Sequence, residues 1–254
     1  MSYRGPIVDV DVHQNWADDA ELIAYLDPPW RELARGELGG RLPINPATGL
    51  NFPSSLPRDR AGTEPPGGGP PGSDFETLRR QLLDEVGVTR AVLQFDTGLN
   101  AGVPNPYFAE AVVRAANDWA VERWLEAGDP RLYGAVLTAP QLPDRSAAEI
   151  RRIGRHPRMV EVLLTWNSFG RPFGHPVYHP IYEAAAELDL PVAIHIGMLG
   201  QSSLAAGGRP GTRLEFYTEM GQAIQNHLVS FISHGVFERY PSLKLLLLEV
   251  GVAW

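Results

Sequence analysis

The sequence predicts an α/β fold with a parallel sheet, arranged as a (β/α) barrel. Three observations carry that expectation. Short β-branched or leucine-rich runs alternate with amphipathic stretches along the chain, as repeated β–α units do. Those runs are apolar nearly throughout, which suits strands covered by helices on both faces. Polar residues then gather where the runs stop: Asp11 and His13, Asp96, Asn167, His195 and Glu249. A barrel brings all such ends around one mouth. An open doubly wound sheet is the competing arrangement. No G-x-G-x-x-G turn follows the first strand and no G-K-[ST] occurs anywhere, which favours the barrel.

Element by element, Ile7 to Val12 reads as the first strand, and Asp18 to Arg35 as an amphipathic helix interrupted at Pro28-Pro29. Residues 36–73 hold most of the Gly-Pro clustering and are expected to be a long loop inserted after that strand, too poor in apolar surface to order itself well. Asp74 caps a helix that runs through Glu85 and ends at Gly87. The second strand is Arg90 to Phe95, followed by a helix from Pro106 to Ala127 with Asn105 as its cap and proline at its first position. The remaining strands fall at Leu132–Thr138, Met159–Leu164, Pro191–Ile196 and Leu243–Leu248, separated by helices at Ser146–Arg155, Pro180–Leu188 and Thr212–His234. In the last helix Phe216, Met220, Ile224, Leu228 and Phe231 are spaced to share one buried face. All 254 residues are read as a single domain.

Composition narrows the function classes. A net charge of −8 without any Lys/Arg run opposes nucleic-acid and anionic-membrane partners. With no cysteine there can be no disulfide, thiolate metal site or cysteine nucleophile, so any metal must be held by His, Asp or Glu. No run approaches the roughly 18 apolar residues of a membrane span, and Met1 to Pro6 leads into a strand with no apolar signal core. A cytoplasmic protein acting on a small-molecule substrate is the default expectation.

The first strand carries the strongest chemical signal. Its side chains alternate with period two, placing Asp9, Asp11 and His13 on one face and Val8, Val10 and Val12 on the other. In a barrel the valines pack on helices and the polar set points into the lumen, where three ionisable groups are costly unless hydrogen-bonded or metal-bound. A solvated edge strand is the alternative reading of the same pattern. His195 ends the fifth strand at the same mouth, and Glu249 follows four leucines at the end of the sixth.

With these residues in view, the sequence resembles the amidohydrolase-related (amidohydrolase 2) metal enzymes of the aminocarboxymuconate-semialdehyde decarboxylase type. Three stretches carry the resemblance: Ile7-Val-Asp-Val-Asp-Val-His13; Gly174 to Gly197, which contains His175-Pro-Val-Tyr-His179-Pro and Val192-Ala-Ile-His195-Ile-Gly197; and Gly235-Val-Phe-Glu-Arg-Tyr-Pro241 continuing to Gly251. The resemblance implies a distorted TIM-like barrel holding one divalent ion, Zn2+ or Mn2+, with Asp11, His13 and His195 as metal ligands. It implies metal-assisted hydrolysis or nonoxidative decarboxylation of a small carbonyl or carboxylate compound. His195 and Glu249 are the candidate catalytic residues.

Two departures from the family pattern bear on that reading. Many members carry His where this chain has Glu249, which can be a ligand, a general base or an orienting group for His195, or can instead satisfy backbone groups at the barrel rim. The chain also stops at Trp254, after the sixth strand, without the eighth-strand Asp that activates water in relatives. Strands one and six would then be open parallel edges, so a homo-oligomer, or a hetero-oligomer with a chain that completes the barrel, is expected. A non-catalytic subunit of the same fold is the reading from another class. Of the other histidines, His227 is expected to be partly exposed, His234 to end its helix, His175 and His179 to lie at the surface, and His156 to carry no role. Asn15 and Trp16 follow the first strand and either line the mouth or pack in the loop.

Overall fold

Parallel pairing in chain order is what the apolar runs produce. In the computed structural model, which describes residues 5–42, 61–95, 103, 105–126, 128–165, 170–195 and 212–251, six strands form one sheet: β1 (Ile7–Gln14), β2 (Val88–Phe95), β3 (Leu132–Leu137), β4 (Met159–Thr165), β5 (Val192–His195) and β6 (Leu245–Leu248). Their order is β1 to β6 without reversal, and every neighbouring pair is parallel. A doubly wound sheet would reverse its strand order at a switch point. The unbroken order therefore settles the choice for a curled, open barrel, with all strand ends on one side.

The helices are α1 (Asp19–Ile23), α2 (Pro28–Arg35), α3 (Phe75–Leu78), α4 (Pro106–Ala120), α5 (Pro143–Ile153), α6 (His179–Glu187), α7 (Arg213–Ser233) and α8 (Val236–Arg239). Their starts follow local chemistry. Side chains of Asp18, Asp74 and Asn105 accept hydrogen bonds from first-turn amides, and Thr212 with Glu215 makes a reciprocal capping box. Pro28-Pro29 opens α2 rather than interrupting one longer helix, because proline suits the first helical turn and its missing N–H costs nothing there. Both α3 and α4 continue as π-helical turns, Arg79–Glu85 and Val121–Glu126, which local sequence did not foretell.

Strands β2 to β5 form the core, with Leu93, Phe95, Val136, Leu163 and Ile194 fully buried between helices and lumen. The outer face of β1 departs from expectation. Val8 and Val10 are 54% and 42% exposed, while Val12 is buried. Among the described residues no helix covers the start of β1, and the outer edges of β1 and β6 are unpaired. Leu245, Leu246 and Leu247 of β6 are correspondingly only half-buried.

The buried face of α7 also lies to one side of its expected stripe. Ala223, Ile224, His227, Ser230 and Phe231 are buried, and Leu228 is half-buried. The side chains of Phe216 and Met220 lie outside the described residues. The cause is a close approach at Gly174, where an added Cβ would lie 2.1 Å from the backbone of Ser230. The segment before α6 thus presses on α7 along the His227–Phe231 line, and the Tyr182 ring packs tilted against Phe231 at 5.0 Å.

Candidate metal centre at the strand ends

β1 reaches the mouth through a bulge. Asp9 pairs with Ala91 and Val12 with Leu93, so β1 takes three steps where β2 takes two. The extra residue falls at Val10–Asp11, and such bulges re-aim side chains. Asp9 is thereby excluded from the cluster expected of strand one: its Oδ1 accepts the Asp11 amide N–H at 3.1 Å. Asp11 and His13 turn toward the lumen, where they meet His195, the last residue of β5, and Glu249, the first residue after β6.

One ligand-type atom from each of Asp11, His13, His195 and Glu249 lies within 4.8 Å of all the others. His195 Nε2 is 3.1 Å from Asp11 Oδ1, and His13 Nε2 is 3.7 Å from the same oxygen and 3.9 Å from Glu249 Oε1. The His13 and His195 rings meet edge to face at 5.0 Å. Asp11 Oδ1 and His13 Nδ1 are buried and accept no well-aligned hydrogen bond from a described residue. Two electron-pair donors 3.1 Å apart need a cation between them, either a proton on the imidazole or a metal ion. Burial pushes the Asp11 carboxyl up, but contact with His195 and the charges of His195 and His13 outweigh it, leaving Asp11 below its ordinary value.

Glu249 contributes by a different route. Its φ of +56° lies in the left-handed region that side chains avoid, a conformation costing about 1–2 kcal/mol. That turn carries its carboxylate back toward His13 while leaving 47% of the side chain exposed. Glu249 is thus the member of the cluster most open to solvent.

The long insertion returns to this site. Asn15 N–H donates to Gly72 O at 2.9 Å and Asn15 Nδ2 to Pro71 O at 2.7 Å. Gly72 has φ +78°, and a Cβ there would stand 2.3 Å from His13 O. Gly72→Ala is therefore expected to destabilise the chain by about 3 kcal/mol, or roughly 6–12 °C in Tm, and to displace His13. Thermal unfolding, with and without added Mn2+, reads both effects.

The other singled-out residues serve packing. Trp16 is buried against Trp119, with its Nε1 donating to Asp19 Oδ1 at 2.8 Å, so it does not line the mouth. His227, expected to be partly exposed, is buried: it stacks on Phe173 at 4.7 Å, and its Nδ1 accepts the Phe173 N–H at 3.1 Å. His175 caps the turn before α6 through its Nδ1, His179 is half-buried at the start of that helix, His234 is the C-cap of α7, and His156 accepts from the Arg158 amide. Asp96 and Asn167 lie outside the described residues.

Sequence reasoning missed two lumen residues, Gln94 on β2 and Glu161 on β4. Both are buried, and Gln94 Nε2 donates to Glu161 Oε1 and, at 3.3 Å, to Val10 O. Burial raises the Glu161 carboxyl to about 7; the Gln94 hydrogen bond and His195 counter that shift, while Asp11 adds to it. The available signal was one polar residue inside an apolar stretch of each strand, Gln94 within Ala91–Phe95 and Glu161 within Met159–Leu164.

A parallel barrel with two imidazoles and two carboxylates converging at its carboxyl mouth defines a (β/α)-barrel domain with a candidate divalent-metal centre. The chain belongs to the Amidohydrolase family, whose sequence profile matches residues 10–254. It is 27% identical over 165 residues to Decarboxylase orsB of Emericella nidulans, covering 60% of this chain and 48% of that protein. It is 24% identical over 186 residues to gamma-resorcylate decarboxylase of a Polaromonas species, covering 70% and 56%. The chain thus spans about half the length of the curated relatives it matches. Among solved structures, an amidohydrolase of Mycobacterium avium subsp. paratuberculosis superposes with a TM-score of 0.69 at 20% identity, covering 99% of this chain and 74% of that one. The 5-carboxyvanillate decarboxylase of Novosphingobium aromaticivorans, solved with manganese and 4-hydroxy-3-methoxy-5-nitrobenzoic acid, gives 0.64 at 22% identity, covering 96% and 65%.

Proposed function

We propose that this chain binds one divalent metal ion through Asp11, His13 and His195, with Glu249 as the fourth, solvent-facing group, and that the centre serves nonoxidative decarboxylation of a small aromatic hydroxy acid. The observation that carries the reading is the convergence of these four donors, with Asp11 Oδ1 buried and 3.1 Å from His195 Nε2. The donor set is nitrogen and oxygen without thiolate, which suits Zn2+ and Mn2+ alike. The named decarboxylases among the relatives favour decarboxylation over hydrolysis. When bound, such an ion polarises a carboxylate or carbonyl oxygen of the substrate.

The residues of the chain supply the rest. Asp11, His13 and His195 fix the geometry from β1 and β5, while the bulge and the Gly72 contact limit their freedom. In decarboxylation the bond from the ring carbon to the carboxylate breaks, carbon dioxide leaves, and the electron pair stays on the ring carbon, which takes up a proton. Glu249, the exposed carboxyl of the cluster, is the proton carrier in this reading. Hydrolysis would instead use Glu249 as the base toward water. The chain is read as one barrel domain over residues 1–254 with an insertion at 36–73. Further polypeptide along β1 and β6 is proposed to cover the exposed Val8 and Val10. Among the described residues no helix is long and apolar enough to cross a membrane.

Metal analysis by mass spectrometry under native conditions, followed by carbon dioxide release assays on dihydroxybenzoic acids with Mn2+ or Zn2+, tests the proposal. The expected result is one ion per chain, lost in Asp11→Ala, and metal-dependent release of carbon dioxide. A chain without metal and indifferent to Asp11→Ala supports the non-catalytic subunit instead.

A further inference from the structure

Behind the four donors the lumen holds a pair that the proposed chemistry leaves unused. His13 pairs with Gln94, Leu93 with Gly134, and Ala135 with Glu161, so Gln94 and Glu161 lie in one row of the sheet on either side of Ala135. The small side chain between them lets two long ones meet across β3, where the Gln94 amide donates to the Glu161 carboxyl. The same Nε2 also donates to Val10 O. That carbonyl belongs to the peptide whose N–H is the Asp11 amide, and the Asp9 carboxylate accepts this N–H. The bulged peptide is therefore held at both ends, its C=O by Gln94 and its N–H by Asp9. Its plane fixes the direction in which the Asp11 side chain leaves the strand.

We propose that Gln94 and Glu161 are positioning residues for the metal ligand Asp11, locking the bulged Val10–Asp11 peptide so that the Asp11 carboxylate aims at His195. The inference rests on reading the cluster as a metal site. Burying an ionisable carboxyl in a lumen is costly, and a neutral amide pair would hold the same peptide at less expense. A carboxyl adds a response to charge. The groups that face Glu161 are Asp11 from β1, His195 from β5 and the neutral Gln94 from β2, with Ala135 alone from β3. A cation among the four donors favours the carboxylate form of Glu161. A carboxylate in turn accepts the Gln94 N–H more strongly than a neutral carboxyl does. Ion binding thus tightens the brace that positions its own ligand, and below neutral pH it expels the proton from Glu161.

Calorimetric Mn2+ titrations at pH 6 and pH 8, each in two buffers of different ionisation enthalpy, test this on wild type, Gln94→Leu and Glu161→Gln, with Tm measured alongside. Gln94→Leu is expected to weaken Mn2+ binding about 10- to 100-fold, the range found when partners that orient a ligand are lost. Glu161→Gln retains a hydrogen-bond acceptor for Gln94. It is expected to bind about tenfold more weakly at pH 8, to differ by only about twofold at pH 6, and to release about 0.4 of a proton fewer than wild type at pH 6. Equal losses at both pH values with a matching fall in Tm would mean that Glu161 only fills space, and would overturn the proposal. So would Gln94→Leu binding Mn2+ as tightly as wild type. Wild-type chain that takes up no Mn2+ overturns the metal reading and this inference with it, whereas tight wild-type binding with unaffected variants overturns the inference alone.

Discussion

His195→Ala is expected to lower the affinity for a divalent ion by between two and three orders of magnitude. Protein sites with four ligands bind zinc with apparent free energies of about 10–16 kcal/mol. An equal share puts about 2.5–4 kcal/mol on each ligand, and about 1.4 kcal/mol corresponds to a factor of ten. His195 should cost at least its share, because it is buried and its Nε2 lies closest to the oxygen of Asp11. Without it, the burial that pushes the Asp11 carboxyl up is no longer offset by contact with His195, and the carboxyl rises from its lowered position. Competition with a fluorescent chelator measures the affinity loss directly. Glu249→Ala provides the contrast. Its side chain is half exposed and, among the described residues, comes within ion-pair distance of His13 alone, at 3.9 Å, so its removal is expected to lower affinity by about tenfold and turnover by about a hundredfold or more. Equal effects of the two substitutions on binding would make Glu249 an ordinary ligand and remove it as proton carrier.

The four donors were legible because Asp11 and His13 alternate with valines along the first strand while His195 and Glu249 each close an apolar run, and the repeated apolar runs pointed to a parallel sheet. Helix starts at Asp18, Asp74, Asn105 and Thr212 were legible for a related reason: a cap acts within three or four residues. What escaped needed information from distant parts of the chain. The bulge at Val10–Asp11 exists only relative to the register of β2, and it separates Asp9 from the residues with which it alternates. The burial of His227 depends on Gly174 pressing against Ser230, more than fifty residues away in sequence. Exposure of Val8 and Val10 depends on what covers β1, which the strand's own pattern does not encode. Gln94 and Glu161 read as isolated polar residues until the rows of β2, β3 and β4 are aligned.

Glu161 also gives the metal-free chain a pH dependence of defined sign. Its carboxyl titrates at about 7 in the folded state against an ordinary value of 4.5. Below pH 4.5 both folded and unfolded chains hold the proton. Between 4.5 and 7 the folded chain keeps it while the unfolded chain has released it, so folding takes up a proton and stability falls as pH rises. Across that window the loss is about 3 kcal/mol, or roughly 6–12 °C in Tm. Glu161→Gln removes the titrating group, so the variant is expected to lose that part of the slope and to be more stable than wild type at pH 8, provided both are free of metal. Added Mn2+ should reverse the ranking at pH 8, because a cation near Asp11 and His195 stabilises the Glu161 carboxylate that burial otherwise penalises. Thermal unfolding of both proteins from pH 5 to pH 8, in chelator and then in Mn2+, measures the two differences. Parallel wild-type and variant curves in chelator would mean that Glu161 titrates alike in folded and unfolded chains and is ionised across the range, and would assign any remaining slope to another group.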